Sequence, residues 1–306
     1  MSGQATVHSN PGAGPGPVPS PVPGPVPRAP ARARPRPPAS ALIGAAIVIV
    51  MVAAIILAPW LAPYAESQFI GGVWDPPSTA SWLGTDNLGR DMLSRLMYGG
   101  RNTVGIAAVT TAIAVVLGTA LGFVAATVGG WVDNVMSRCI DILLSIPVLI
   151  SALMVLSVLG SSVPVLIGTI GILEATRVYL VARAVARTIA VQEFVAVARL
   201  RGEGLAWIIG REILPNALPP LIAEAGLRFC FVVLFIASLG FLGLGIQPPA
   251  ADWGSMVREN AQAINFALLA PLYPAAAIAA LTIGVNLVVD WLLSMYARPS
   301  GHALEL

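Results

Sequence analysis

Long apolar stretches, several of them free of charge, alternate with polar ones from residue 41 to residue 297. The apolar stretches are 41–61, 103–128, 142–159, 163–181, 218–246 and 266–297. Each has the roughly 17–25 or more apolar residues that an α-helix needs to cross a bilayer. The pattern predicts six transmembrane helices in an all-α membrane protein. The polar intervals differ in length. Residues 62–102 form a long excursion with Gly, Pro and Asp turn signals. A short turn after Gly129-Gly130 carries Asp133, Arg138 and Asp141. Residues 183–216 are rich in arginine, and 247–265 form a short loop.

Composition agrees with this picture. Hydrophobic residues make up 57% of the 306 and charged residues only 10%, with a mean hydropathy of +0.82, against about 25% charged in a soluble domain. Secreted enzymes, nucleic-acid binders and disulfide scaffolds are excluded; the solvent is a lipid bilayer. Residues 1–40 stand apart, with 12 of the 26 prolines and a PVPGPVP repeat. Such a segment is expected to be a disordered cytoplasmic tail, since it has little apolar surface to bury. It lacks the early apolar stretch of a signal peptide. A second short tail is expected at 298–306.

The distribution of arginine predicts orientation. With both termini inside, twelve arginines lie on the inner side and four (Arg90, Arg95, Arg101 and Arg258) on the outer, with Arg228 inside the fifth span. That bias predicts N-in, C-in topology. All 17 basic residues are arginine, so the Gly-Lys-[Ser/Thr] end of a phosphate-binding loop cannot exist here. If nucleotide drives this chain, it is bound by another one. His8 and His302 lie in the tails, and Cys139 and Cys230 form no CxxC or metal pattern. No catalytic residue and no metal site are expected.

The inner segment 192–216 has its own periodicity. Val195, Ala198 and the stem of Arg199 fall at helical spacing, and Leu205, Ile208, Ile209, Glu212 and Ile213 trace a second stripe. Gly202 and Gly204 interrupt the two, where a tight turn needs positive φ. Pro215, Pro219 and Pro220 are expected to open the next helix. The prediction is a helix–turn–helix knob on the inner face. It could fill a groove on a partner or lie on anionic lipid.

Residues 193–215 resemble the EAA loop of importer permeases of the ATP-binding-cassette class. Ala196-Val197-Ala198 stand at the E-A-A positions, Gly202 at the glycine and Ile213-Leu214-Pro215 at the closing tripeptide. Residues 82–101, WLGTDNLGRDMLSRLMYGGR, resemble a stretch of the second permease subunit of dipeptide/oligopeptide importers, as do LPNALPP at 214–220 and FLGLGIQPP at 241–249. Asp252-Trp253-Gly254 lies where that family has Ser-Trp-Gly. The likeness covers about 80–292. It implies a type I importer permease in the bacterial cytoplasmic membrane, paired with a homologous permease around a substrate pathway. It further implies ATPase subunits that carry ATP and Mg, and an extracytoplasmic substrate-binding protein. Glu193, Ala196, Val197, Ala198, Arg199, Gly202, Ile213 and Pro215 would form the coupling loop that meets the ATPase. Ala196 replaces the usual glutamate and Val197 the next alanine; Ile236 stands where an acid is common, and Arg228 where a small residue is usual. The cargo implied is a di- or oligopeptide, with nickel chelates, glutathione and haem as alternatives.

Charges within the spans need partners, because an unpaired one costs at least about 2.5–3.5 kcal/mol at bilayer depth. Glu224 and Arg228 stand four apart, as an ion pair would. They either line the pathway or brace the interface with the second permease. Glu174 and Arg177 are expected to brace each other, and Asp290 to cap or brace near the inner end of the sixth span. Outside, Asp86, Arg90, Asp91 and Arg95 alternate in sign. They predict a solvated face, a docking surface for the binding protein, or a lid over the pathway. Gly118 and Gly122 form a GxxxG suited to close helix packing. A stand-alone secondary transporter would need inverted repeats, which the two halves lack. An intramembrane enzyme would need a nucleophile and base that the spans do not supply.

Overall fold

The computed structural model describes Gly3, residues 38–266 and residues 268–296. The tails expected at 1–40 (apart from Gly3 and 38–40) and 298–306, with His8 and His302, lie outside the described residues. Among the described residues the chain is built of helices with no strand, only two isolated bridges in the 69–91 region. Five helices are long and apolar enough to cross a membrane, and a bent pair makes a sixth candidate.

The first span is α1 (Ala39–Ile56), which stops at Leu57 before the four-residue α2 (Ala58–Leu61), where Pro59 sits in the first turn. The second is α3 (Met92–Val128), which begins well before the apolar run because the Asp91 carboxylate caps it, accepting from the Ser94 amide at 2.8 Å. The turn expected after Gly129-Gly130 is instead helical. There α4 (Gly130–Ser145) leads into α5 (Val148–Leu159), with an 83° bend between them. Pro147 explains the break: it holds Ile146 in extended backbone, away from the helical region. At 1.5 Å per residue the two measure about 24 and 18 Å, so neither alone crosses a bilayer core of about 30 Å.

α6 (Val163–Ala190), expected as the fourth span, runs nine residues past the apolar stretch. It lies against α3 along the GxxxG. A Cβ at Gly118 would stand 2.6 Å from the Ala175 carbonyl oxygen, and one at Gly122 2.9 Å from that of Tyr179. Backbone contact this close is what the missing side chains permit.

The knob follows as α7 (Glu193–Leu200), α8 (Leu205–Trp207) and a π-helical turn, Ile208–Ile213, which continues directly into α9 (Leu214–Phe241). The second half of the predicted hairpin therefore runs straight into α9, the helix expected as the fifth span. Pro215 lies in the first turn of α9, but Pro219 and Pro220 lie inside it, contrary to their expected role as helix openers. The Asn216 side chain donates to the Glu212 carbonyl at 2.6 Å in this stretch, where the prolines withhold backbone donors. At the other end of α9, Gly243 (φ 89°) closes the helix with bonds from its own amide to Gly240 and from Leu244 to Leu239. This is the paired-bond glycine stop, and it gives the FLGLG run its structural reason. The described residues close with α10 (Trp253–Glu259), a 3-10 turn (Ala261–Phe266) and α11 (Leu272–Tyr296).

The main core brings together Leu156, Leu166, Ile170, Val233, Ile236, Trp253, Met256 and Leu281 from α5, α6, α9, α10 and α11. A second cluster ties the knob to the ends of α3 and α6.

Candidate functional site

Gly202 takes φ 80° and ends α7 with amide bonds from Gly202 to Arg199 and from Glu203 to Ala198, the same glycine stop as at Gly243. Gly204, by contrast, keeps an ordinary negative φ of −75°. The inner face of the knob is locked down: Val195, Ala198, Ile208 and Ile213 are buried against Phe123, Ala182, Ala186 and Leu221. The outer face is apolar and bare. Phe194, Val197 (53% exposed) and Leu200 (88%) recur at three-residue spacing along α7, so they share one side of it.

The expected coupling residues divide between these two faces. Ala198 and Ile213 are buried, so they brace the knob on the bundle rather than offer a surface. Glu193, Ala196, Val197, Arg199, Gly202 and Pro215 are exposed. The stem of Arg199 is not part of the packed stripe. Arg201 pairs with Glu203 at 3.6 Å and lies 5.5 Å from the Trp207 ring centre.

Within the membrane, Arg228 does pair with Glu224, at 2.8 Å, but it also reaches Glu174 on α6 at 3.1 Å. Its guanidinium lies 4.7 Å from the Phe231 ring centre. One cation is therefore held between two carboxylates on two helices. The expected Glu174–Arg177 brace does not form: Glu174 is buried against Arg228, whereas Arg177 is exposed and has no ion pair among the described residues. Asp290 is also exposed and braces nothing among the described residues. Glu174 instead meets Arg228 on α9.

The segment from Tyr64 to Arg95 forms a cap fixed to α10. The solvated face expected there is not what folds. Asp86 (0% exposed), Arg90, Asp91 and Arg95 (1%) are all buried. Asp86 is the hub. It accepts from the amides of Leu88 and Arg90 at 2.8 and 2.9 Å, from Arg90 Nε at 2.7 Å and from Arg95 Nη1 at 2.5 Å. Both arginines also reach Glu259 on α10, at 3.3 and 2.9 Å. Burial on its own would raise the Asp86 carboxyl. The Arg90 and Leu88 amides and the Arg95 and Arg90 charges outweigh it and hold the group below the usual carboxylate range. Asp91 caps α3 and accepts from Ser81 Oγ at 2.7 Å. Asn260 takes the Trp74 indole N–H and the Asn87 amide.

Asp252 is buried at the start of α10. Its Oδ1 caps the Gly254 and Ser255 amides at 2.9 and 3.2 Å, and its Oδ2 has no partner. Burial pushes this carboxyl up, and Glu259 adds to the rise against the Ser255 and Gly254 hydrogen bonds. All four residues expected for docking or as a lid are thus buried within this network, which ties the 64–95 segment to α10.

The family described as binding-protein-dependent transport system inner membrane component matches residues 118–298. The chain belongs to this family. The N-terminal TM domain of oligopeptide transport permease C matches residues 39–77. The permease is 37% identical over 218 residues, 71% of each chain, to the dipeptide transport system permease protein DppC of Alkalihalophilus pseudofirmus. It is 34% identical over 245 residues to the probable D,D-dipeptide transport system permease protein DdpC of Escherichia coli K12, covering 80% of this chain and 82% of that one. It is 30% identical to the glutathione transport system permease protein GsiD of Pectobacterium atrosepticum, covering 77% and 79%. The permease is accordingly a multi-pass protein of the bacterial inner membrane.

Three features of the permease escaped the sequence reading. Glu259 and Asn260 anchor the cap across 164 to 186 residues of chain. Glu174 meets Arg228 across 54. Asp133, placed in a turn by its glycines, binds Arg187 and holds Arg183, the latter through Nη2 at 2.9 Å, joining α4 to the end of α6. None carries a local spacing signal; only the presence of arginine in a span hinted that a carboxylate had to be near.

Proposed function

We propose that this permease is one half of the translocation pathway of an ATP-driven importer of short peptides. The other half is a homologous permease, with N-in, C-in topology and six crossings here, the bent α4–α5 pair being the third. The observation that carries the reading is the knob. Its inner face is buried against α3 and α6, so a push on it reaches the spans, while Phe194, Val197 and Leu200 present an apolar strip suited to a groove on an ATPase. ATP and Mg are bound by that partner, since a chain without lysine cannot form the phosphate-binding loop. Coupling by such a contact requires packing and no catalytic group on this chain. An extracytoplasmic binding protein delivers the substrate to the cap end.

Peptide cargo is supported by the dipeptide names of the relatives, and the glutathione relative widens the class to peptide-like zwitterions rather than replacing it. A mild-detergent pull-down of the intact chain tests the assembly. It should bring down a homologous permease and a Walker-loop ATPase, and Val197→Asp should lose the ATPase while keeping the second permease. Retention of both partners by V197D would remove the coupling role from this strip.

A further inference from the structure

α4 is an arm with a break at each end. At its start Gly129 and Gly130 take φ 67° and 57°, and a Cβ at either would meet nothing within 4 Å among the described residues. At its other end Ile146-Pro147 sets the 83° bend into α5. Breaks of this kind are where a helix pivots as a rigid piece. Between them the arm buries two of its residues, Asp133 and Ile140, and both are met by α6.

This contact has an apolar and an ionic part. Ile140 packs with Tyr179, and the Ser137 and Tyr179 hydroxyls lie 3.0 Å apart. Nearer the knob, one carboxylate takes two guanidinium groups. Asp133 accepts from Arg183 through Nε and, at 2.9 Å, through Nη2, and from Arg187 through Nη2. Tyr179, Arg183 and Arg187 recur every four residues, so they form one stripe of α6. Ala182 and Ala186, on the adjoining stripe, belong to the cluster that buries Val195, Ala198 and Ile213 of the knob, and α4 gives no residue to that cluster. The end of α6 therefore seats the knob on one side and grips Asp133 on the next.

We infer that Asp133 is a positioning residue that makes α4 follow the knob, so that a push on the knob swings this arm about its two breaks. The inference deepens the importer reading and rests on it. The ionic part of the contact is the part that transmits. Apolar contact such as that of Ile140 with Tyr179 is non-directional and lets helices slide. A carboxylate held in the fork of Arg183 and drawn by Arg187 fixes both distance and angle. Asp133 acts through α6, on neither substrate nor nucleotide.

The test uses the assembled transporter with its loaded binding protein in nanodiscs. Cys139 is exposed on α4, six residues from Asp133, and Cys230 is buried, so a thiol-reactive spin label on the native chain reports the arm. A second label, at Glu203→Cys in a C139S background, lies in the turn after α7, off the exposed Phe194–Val197–Leu200 strip, and reports the knob. Both spectra should change when ATP, Mg and vanadate are added. Asp133→Asn keeps the side-chain shape; it should abolish the change at Cys139 and leave that at E203C. Dipeptide carried per ATP hydrolysed should fall about tenfold or more, the weight of one charge-assisted hydrogen bond. Arg183→Gln with Arg187→Gln breaks the contact from the α6 side and should give the same losses, and adding D133N to that pair should add nothing. A Cys139 change in D133N equal to that of wild type would overturn the inference, as would a wild-type arm label that stays silent while the knob label responds. Losses in D133N that R183Q/R187Q does not reproduce would overturn it by showing that the carboxylate does not act through α6. Failure of the importer reading has a different signature: a wild-type knob label silent to nucleotide and no ATPase partner in the pull-down.

Discussion

Replacing Asp86 with asparagine keeps the shape of the cap and removes the charge at its hub. The amide oxygen can still accept from Leu88 and Arg90, but Arg90 Nε and Arg95 Nη1 lose the anion they share. Among the described residues Glu259 is then the only carboxylate left to two guanidinium groups, and it is partly solvated, whereas Arg95 is 1% exposed. Breaking a buried pair by neutralising one member costs about 3–5 kcal/mol. Because the hub joins the 64–95 segment to α10 and not the spans to one another, the loss should appear as local opening of the cap. At 1.4 kcal/mol per decade, that is a roughly 10²- to 4 × 10³-fold drop in hydrogen-exchange protection for peptides spanning 84–91, with knob peptides unchanged. Asp86 titrates below the usual range in the folded state, so its contribution is present above the ordinary carboxylate pKa of about 3.9 and is lost as pH falls through the lower folded value. The gap between wild type and D86N should therefore hold from pH 7 to about pH 4 and narrow only below that. Protection in D86N within threefold of wild type at pH 7 would refute the claim that this buried network holds the cap.

Three further outcomes follow from the same geometry. Arg228→Ala leaves Glu174 and Glu224 facing one another without their cation, so it should lower thermal stability in detergent by about 3–5 kcal/mol, and adding E174Q and E224Q should recover most of the loss. Gly202→Val puts a β-branched residue at φ 80° and should cut ATP-coupled transport at least tenfold without changing membrane insertion, while Gly202→Asn, which tolerates that backbone, should keep most of it. Asp252 titrates above the usual range, so its protonated form fits the fold better, and its contribution is lost as pH rises through the folded value. Asp252→Asn should therefore match or exceed wild-type stability at pH 7 and flatten its pH dependence, whereas Asp252→Ala should lose about 1 kcal/mol with the helix cap.

The spans were legible because bilayer crossing imposes a length and an apolar composition that local sequence must display. The same holds for the GxxxG, whose two glycines meet the α6 backbone, and for Gly202, whose positive φ ends α7. What local pattern could not reveal were pairings across the chain. Asp86, Arg90 and Arg95 have the alternation of a solvated helix face, and only Glu259, far along the sequence, makes them a buried cluster. Glu174 and Arg177 have the spacing of a pair, but α9 offers Glu174 a better partner. The prolines misled for a related reason: a π-helical turn carries the knob into α9, so Pro219 and Pro220 sit inside a helix already begun. Of the inner knob, the turn and the periodicity could be read, but not which side faced out; Ala198 and Ile213 are buried.

The most direct test of the central claim is uptake by proteoliposomes holding this permease with its co-purifying partners and loaded binding protein. The account predicts accumulation of a labelled dipeptide only when ATP and Mg are present on the knob side, and none from this chain alone. Dipeptide movement by the isolated chain without ATP would contradict it.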